Sequence, residues 1–329
     1  MEIASHENMM HLKPGDAIGV LAENPEPLVD MLLQLTGADE AADILVRRKR
    51  MPLRQALLSE CDISIPGNKL LTTWGRLSKD KDLQQLLTSN ERTLKGFLRS
   101  NQVIDILRRF PARPDAQTLV DALKPLQPRL YDLANSQQYT SGEMHILVKR
   151  YLYTINAQTH AGIASDYLVN RKVGSRVRLF PYINNRFRLS CETDDPVIYI
   201  SEGTGIGPFR ALLQDMAHHD KKKRCWLFLS ENSFEEDFLY QTEWQTAYAE
   251  KRLDRIDTIF TEKNKRASAI KKLLEQKEQE LLDYLDAGAH IYLCGDRAIL
   301  TEVETVLQRI MELDPAAMQK SDRVHRNFY

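Results

Sequence analysis

YISEGTGIGPFRALL, residues 199–213, joins an apolar run (Val197 to Ser201) to three glycines, Gly203, Gly205 and Gly207, and then to a helix-forming stretch from Pro208. A strand that turns through glycines into a helix holds a pyrophosphate on bare backbone N–H groups and on the positive end of the helix. Glu202 sets a carboxylate at the lip of that turn, where a second anion opposes a phosphate. The spacing is G-x-G-x-G-P rather than G-x-G-x-x-G, and no Gly-Lys-Ser/Thr follows. Alone, the turn does not separate a nucleotide site from a tight turn.

Its surroundings say more. PVIYIS, RCWLFLS, RIDTIFT and AHIYLCG read as strands, with helices between them starting near Pro208, Glu236 and Lys265 and another after Asp296. This alternation predicts a parallel sheet wrapped by helices over residues 191–329. Ligands of such sheets sit at the carboxyl ends of the strands, and Cys294-Gly295-Asp296 ends the fourth. Upstream, residues 26–124 read as helices: LVDMLLQL after Pro27, Asp80 to Arg99, Asn101 to Phe110, and TLVDALKPL beyond Pro111 and Pro114. That segment carries no chemical constellation. MHILVKRYLY and SRVRLFPYI are short β-rich runs between turn residues, and DAIGVLAEN (16–24) has the same character. Together they predict a small antiparallel barrel interrupted by a helical insertion.

Composition narrows the function. The 329 residues carry a formal net charge of −1, which gives no global attraction to nucleic acid or to acidic membranes. The clusters Arg47–Arg50 and Lys221–Arg224 read as solvated faces. No run approaches the roughly 18 apolar residues of a membrane span, and MEIASHENMM lacks the basic and apolar regions of a signal peptide. Cys61, Cys191, Cys225 and Cys294 form no CxxC, which argues against a metal site or a disulfide framework and for a reducing cytoplasm.

RLYDLANS (129–136), GIAS (162–165), LKPGDAIGV, LKPLQPRLY, EDFLYQTEWQ and GAHIYLCGD carry a resemblance over the whole chain. It resembles the sulfite reductase flavoprotein alpha-component family, diflavin reductases related to ferredoxin–NADP reductase. The resemblance implies a FAD-binding β-barrel (1–25 and 125–190), a helical connecting domain (26–124) and a nicotinamide-nucleotide domain (191–329). Electrons would pass from NADPH to FAD to FMN. The family's preceding flavodoxin-like FMN domain has no counterpart here. The expected acceptor is therefore a separate FMN flavodoxin-like protein, or a haem or iron–sulfur protein. The resemblance also puts the first barrel strand before Met1, with MEIA in the middle of the second.

Carried over by position, the resemblance assigns the FAD pyrophosphate to Arg129, the isoalloxazine to Tyr131 and its other end to Tyr153. The diphosphate falls to Gly162, Ile163, Ala164 and Ser165, and Leu130 and Asp132 complete the set. Tyr329 matches the terminal aromatic that covers the flavin where nicotinamide stacks. Gly203, Thr204 and Gly205 match the nicotinamide-nucleotide turn, and Cys294 and Asp296 stand beside the hydride-transfer position. Three places depart from the pattern. Asp132 replaces a serine aimed at flavin N5, and an ionised carboxylate only accepts hydrogen bonds. Glu202 replaces a proline. Thr261, Glu262, Ala267 and Ala269 replace the Ser-Arg pair, lysine and tyrosine that read a 2′-phosphate, with Lys263, Lys265 and Arg266 close by. The leading expectation is a FAD-dependent oxidoreductase served by NADPH or NADH. The alternative is a degenerate, non-catalytic FAD-binding scaffold or regulatory subunit, which the departures favour.

Overall fold

Val197–Glu202 (β1), Cys225–Glu231 (β2), Arg255–Phe260 (β3) and His290–Gly295 (β4) form the strands that their apolar runs predict, and Val324–Phe328 (β5) joins them. The computed structural model describes residues 1–4, 12–140, 142–189 and 192–329; Cys191 therefore lies outside the described residues. All five strands are parallel, in the order β3-β2-β1-β4-β5. β1, β2 and most of β4 are buried along their length, because helices cover both faces of the sheet. Ile198, Ile200, Trp226, Phe228, Ile291 and Leu293 pack on one face. Tyr199, Leu227, Leu229, Tyr292 and Cys294 pack on the other.

The crossovers run through α1 (Gly207–His218), α2 (Gln241–Ala249), α3 (Lys263–Gln276), α4 (Glu278–Asp286) and α5 (Arg297–Ile310). From β1 the chain builds outward to β3, then returns to lay β4 on the other side of β1. That reversal opens a crevice at the carboxyl ends of β1 and β4, the usual ligand position in such sheets.

The chain divides into two compact units. The sheet lies in the first, which comprises Met1–Ile18, Leu130–Val148 and Phe180–Tyr329. This unit also holds the antiparallel pair Glu2–Ala4 with Glu143–His145. The second unit, Gly19–Arg129 and Lys149–Leu179, is mainly helical, with the antiparallel pair Leu152–Ile155 and Gln158–Ala161. Its core gathers Val29, Leu32, Leu57, Leu71, Ile106 and Leu119 around Trp74, whose indole N–H donates to the Phe110 carbonyl at 3.0 Å. The fold is thus mixed α+β, with antiparallel strands and a parallel nucleotide-type sheet.

Two local readings change. Asp80 to Arg99 is two helices, Lys81–Leu87 and Glu91–Arg99, because the Asn90 side chain accepts from the Thr93 N–H and starts the second. Residues 43–52 form a β-hairpin, not helix, turning at Arg47 and Arg48 with φ of 48° and 65°. The basic cluster Arg47–Arg50 is exposed as expected, whereas Lys223 is buried and donates to Thr193. No helix is long and apolar enough to cross a membrane among the described residues.

Candidate functional site

β1 runs into a single 3₁₀ turn, Gly203–Ile206, and straight on into α1. Two glycines here answer to packing. A Cβ on Gly205 would lie 2.1 Å from the Cys294 carbonyl oxygen. Gly295, at φ +142°, would put one 2.5 Å from the Glu202 carbonyl oxygen. Both let the ends of β1 and β4 meet. The Tyr199 hydroxyl fixes the turn from below by donating to the Gly205 carbonyl at 2.8 Å. From above, the Tyr329 backbone N–H donates to the Gly295 carbonyl at 3.2 Å, and its hydroxyl lies 2.9 Å from Thr204 Oγ1. The terminal aromatic therefore spans the mouth of the crevice.

Glu202 does not stand at the lip as an open anion. Its side chain turns beneath the turn and is buried against the Arg266 guanidinium, itself 1% exposed. Arg266 also reaches buried Glu231 at 3.4 Å, and the other Glu202 carboxylate oxygen accepts from the Asp296 N–H at 3.2 Å. A buried guanidinium is tolerated only when paired, and Glu202 supplies part of that pairing. The pairing also withdraws Arg266 from the surface. Lys263 Nζ lies 2.6 Å from Asp296 Oδ2, and Lys265 lies 3.0 Å from Glu262. Burial works against the charge of Asp296, but Lys263 and the α5 N–H groups outweigh it and hold the carboxyl below its usual range. Asp296 caps α5 through the Ala298 N–H at 2.9 Å. Thr261 is held by its backbone N–H on the Glu231 carbonyl, Glu262 is exposed, and Ala267 is buried in the core beside Ile270 and Leu274. After β3, Glu262 and Ala267 thus offer no cation, and the two lysines beside them already face carboxylates.

Beside Cys294 the structure assembles a third group. Asp132 Oδ2 accepts from Asn327 Nδ2 at 2.8 Å, and Cys294 Sγ lies 3.8 Å from both. Burial pushes the Asp132 carboxyl up to about 6, against the opposing pull of these hydrogen bonds. Burial likewise drives the Cys294 thiol well above its ordinary range, so it stays protonated at neutral pH.

The flavin set can be placed residue by residue. Arg129 and Leu130 are exposed, and Arg129 makes no side-chain ion pair among the described residues. Tyr131 is partly buried. The Tyr153 hydroxyl accepts from Gln102 Nε2 at 2.9 Å, which ties it to the helical segment. Gly162 precedes the short helix Ile163–Val169, in which Ala164 and Ser165 are buried. The Ser165 hydroxyl accepts from the Tyr151 N–H and donates to the Gly162 carbonyl, both at 3.0 Å. Tyr151 was missed in the sequence. It is 64% exposed, lies against Gly162 and stacks on Tyr153 at 5.7 Å. An exposed arginine outside any ion pair among the described residues and an exposed aromatic ring are groups of the kind that a flavin nucleotide with its diphosphate takes.

Residues 1–167 match the model of the FAD binding domain. This chain belongs to that family. Residues 199–305 match the oxidoreductase NAD-binding domain, which covers β1 through most of α5. Over 337 aligned residues the chain is 34% identical to the sulfite reductase [NADPH] flavoprotein alpha-component of Salmonella typhi, covering all of this chain and 56% of that protein. The protein of the same name from Yersinia pestis is 36% identical over 318 residues, covering 96% of this chain and 52% of its own length. The Salmonella typhimurium protein matches at 34% over 337 residues, with the same coverage as the first. The chain thus spans little more than half the length of these relatives.

Proposed function

We propose that this chain is a NAD(P)H-dependent FAD reductase module that passes electrons to a separate FMN- or metal-containing protein. One observation carries the reading: Tyr329 bridges Gly295 and Thr204 across the β1–β4 crevice, in a chain with both a FAD-binding and a NAD-binding domain. When bound, the nicotinamide supplies a hydride and the flavin divides it into single electrons. The protein's part is to hold, align and exclude water. Arg129 clamps the FAD diphosphate with a forked, fixed charge, and Tyr131, Tyr151 and Tyr153 offer faces for its rings. The backbone of Gly203–Gly205 receives the second nucleotide. Cys294 and Asp296 flank its reactive end, and Tyr329 has to move aside for nicotinamide to stack.

The division into FAD barrel (1–25 and 125–190), connecting domain (26–124) and nucleotide domain (191–329) belongs to this reading. So does the external acceptor: the relatives are named alpha-components, which points to work beside another component. One departure that favoured the scaffold reading no longer weighs for it, because the Glu202 carboxylate pairs with Arg266. Purified protein should be yellow and should bleach when NADH or NADPH is added anaerobically. Protein that cannot be loaded with FAD, or that stays yellow with both nucleotides, refutes the proposal.

A further inference from the structure

Asp132, Cys294 and Asn327 reach one point from three strands. Cys294 and Asn327 are register partners across β4 and β5, so their side chains leave the sheet on the same face. Asp132 ends the strand Arg129–Asp132 and meets them there. Its carboxylate is held by two neutral donors, the Asn327 carboxamide at 2.8 Å and the Cys294 thiol at 3.8 Å, and no salt bridge reaches it among the described residues. The titratable groups around it are Cys294 from β4, Tyr199 from β1 and Tyr329 after β5. Burial raises all three above their ordinary values, so they are neutral near pH 7. Asp132 alone in the cluster can gain or lose a proton in the physiological range.

We propose that Asn327 is a positioning residue: it fixes the Asp132 carboxylate against the Cys294 thiol and makes Asp132 the proton-carrying group at the carboxyl end of β4. Asn327 cannot itself titrate, and its N–H donates only. It therefore favours the ionised carboxylate and keeps one oxygen turned toward Sγ. On protonation Asp132 gains a donor, and its role toward any neighbouring acceptor reverses. The consequence for flavin chemistry rests on the function proposed above; the positioning does not.

The test follows the Asp132 carboxyl ¹³C resonance, assigned by its loss in Asp132→Asn. Wild type should titrate near pH 6. Asn327→Leu should raise the midpoint by about one unit, the worth of one hydrogen bond to a charged group. Asn327→Ser, which keeps a donor and is the milder change for folding, should raise it less. An unchanged midpoint in a folded Asn327→Leu or Asn327→Ser protein, whatever happens to its melting temperature, overturns the proposal. In FAD-loaded protein, the pH profile of flavin reduction should show a limb at the same midpoint that moves with it in the variants. A profile that stays fixed while the resonance midpoint moves overturns the proton-carrying role. Absence of reduction at every pH overturns the proposed function instead, and leaves the titration to decide Asn327.

Discussion

Arg266→Met, on α3, should strongly destabilise the nucleotide-type sheet that the helix packs against. The guanidinium is 1% exposed and stands between two carboxylates, on Glu202 and Glu231, whose side chains are 8% and 4% exposed. Methionine fills much of the same volume but takes the guanidinium away from both buried carboxylates. Breaking a buried pair from one side costs about 3–5 kcal/mol. Glu202→Gln is the control. It keeps the Arg266–Glu231 pair and a hydrogen-bonding amide, so it should cost about 0.5–1.5 kcal/mol, the worth of an ordinary hydrogen bond. Because the chain forms two units, one global melt is not a clean measure. Native-state hydrogen exchange on the β1 and β2 amides reads this sheet directly. A loss below about 1 kcal/mol for Arg266→Met, or one no larger than that for Glu202→Gln, would refute the buried-triad reasoning.

Four further outcomes are expected. With Arg266 sequestered and Lys263 and Lys265 facing acids, 5′-AMP should bind at least as tightly as 2′,5′-ADP and NADH should reduce the flavin at least tenfold faster than NADPH at equal low concentration; tighter 2′,5′-ADP binding would show that the lysines rebuild a phosphate site. Arg129→Ala should lose about 2–5 kcal/mol of FAD affinity and purify colourless, so a yellow variant with unchanged flavin content removes Arg129 from the site. Gly205→Ala should destabilise the sheet by about 1–3 kcal/mol, since its Cβ meets the Cys294 carbonyl, and hydrogen-exchange protection of the β1 and β4 amides like that of wild type contradicts that close approach. The Asp132 carboxyl, raised to about 6 in the fold, is favourable while protonated and costs stability as pH rises through that value; Asp132→Asn should therefore gain up to about 3 kcal/mol over wild type between pH 4 and pH 8, and parallel stability–pH curves would exclude the shift.

The central strands were legible because each is a continuous apolar run buried on both faces, and β1 and β4 carried the crevice with them. β5 was not: VHRNF has no apolar run, and only Val324 is fully buried. Asn327 was lost with it. The hairpin at residues 43–52 was hidden by its turn, since the left-handed positions that usually advertise themselves as Asn-Gly are two arginines. The direction of Glu202 was beyond local reading for a different reason. Its partner lies 64 residues away on another element, and nothing near the glycines announces it. What spacing revealed was the place of the site; what it concealed was which charges inside the site cancel.

That cancellation also constrains how such a sequence can change. If position 202 loses its carboxylate first, Arg266 keeps Glu231 and the interior stays balanced. If position 266 loses its guanidinium first, both buried carboxylates lose that partner at once. The two orders of substitution end at the same sequence but pass through intermediates separated by several kcal/mol. Only one of them stays well folded throughout. Lineages leaving this arrangement should therefore show a neutral residue at 202 beside a retained arginine at 266, and the reverse combination should be rare.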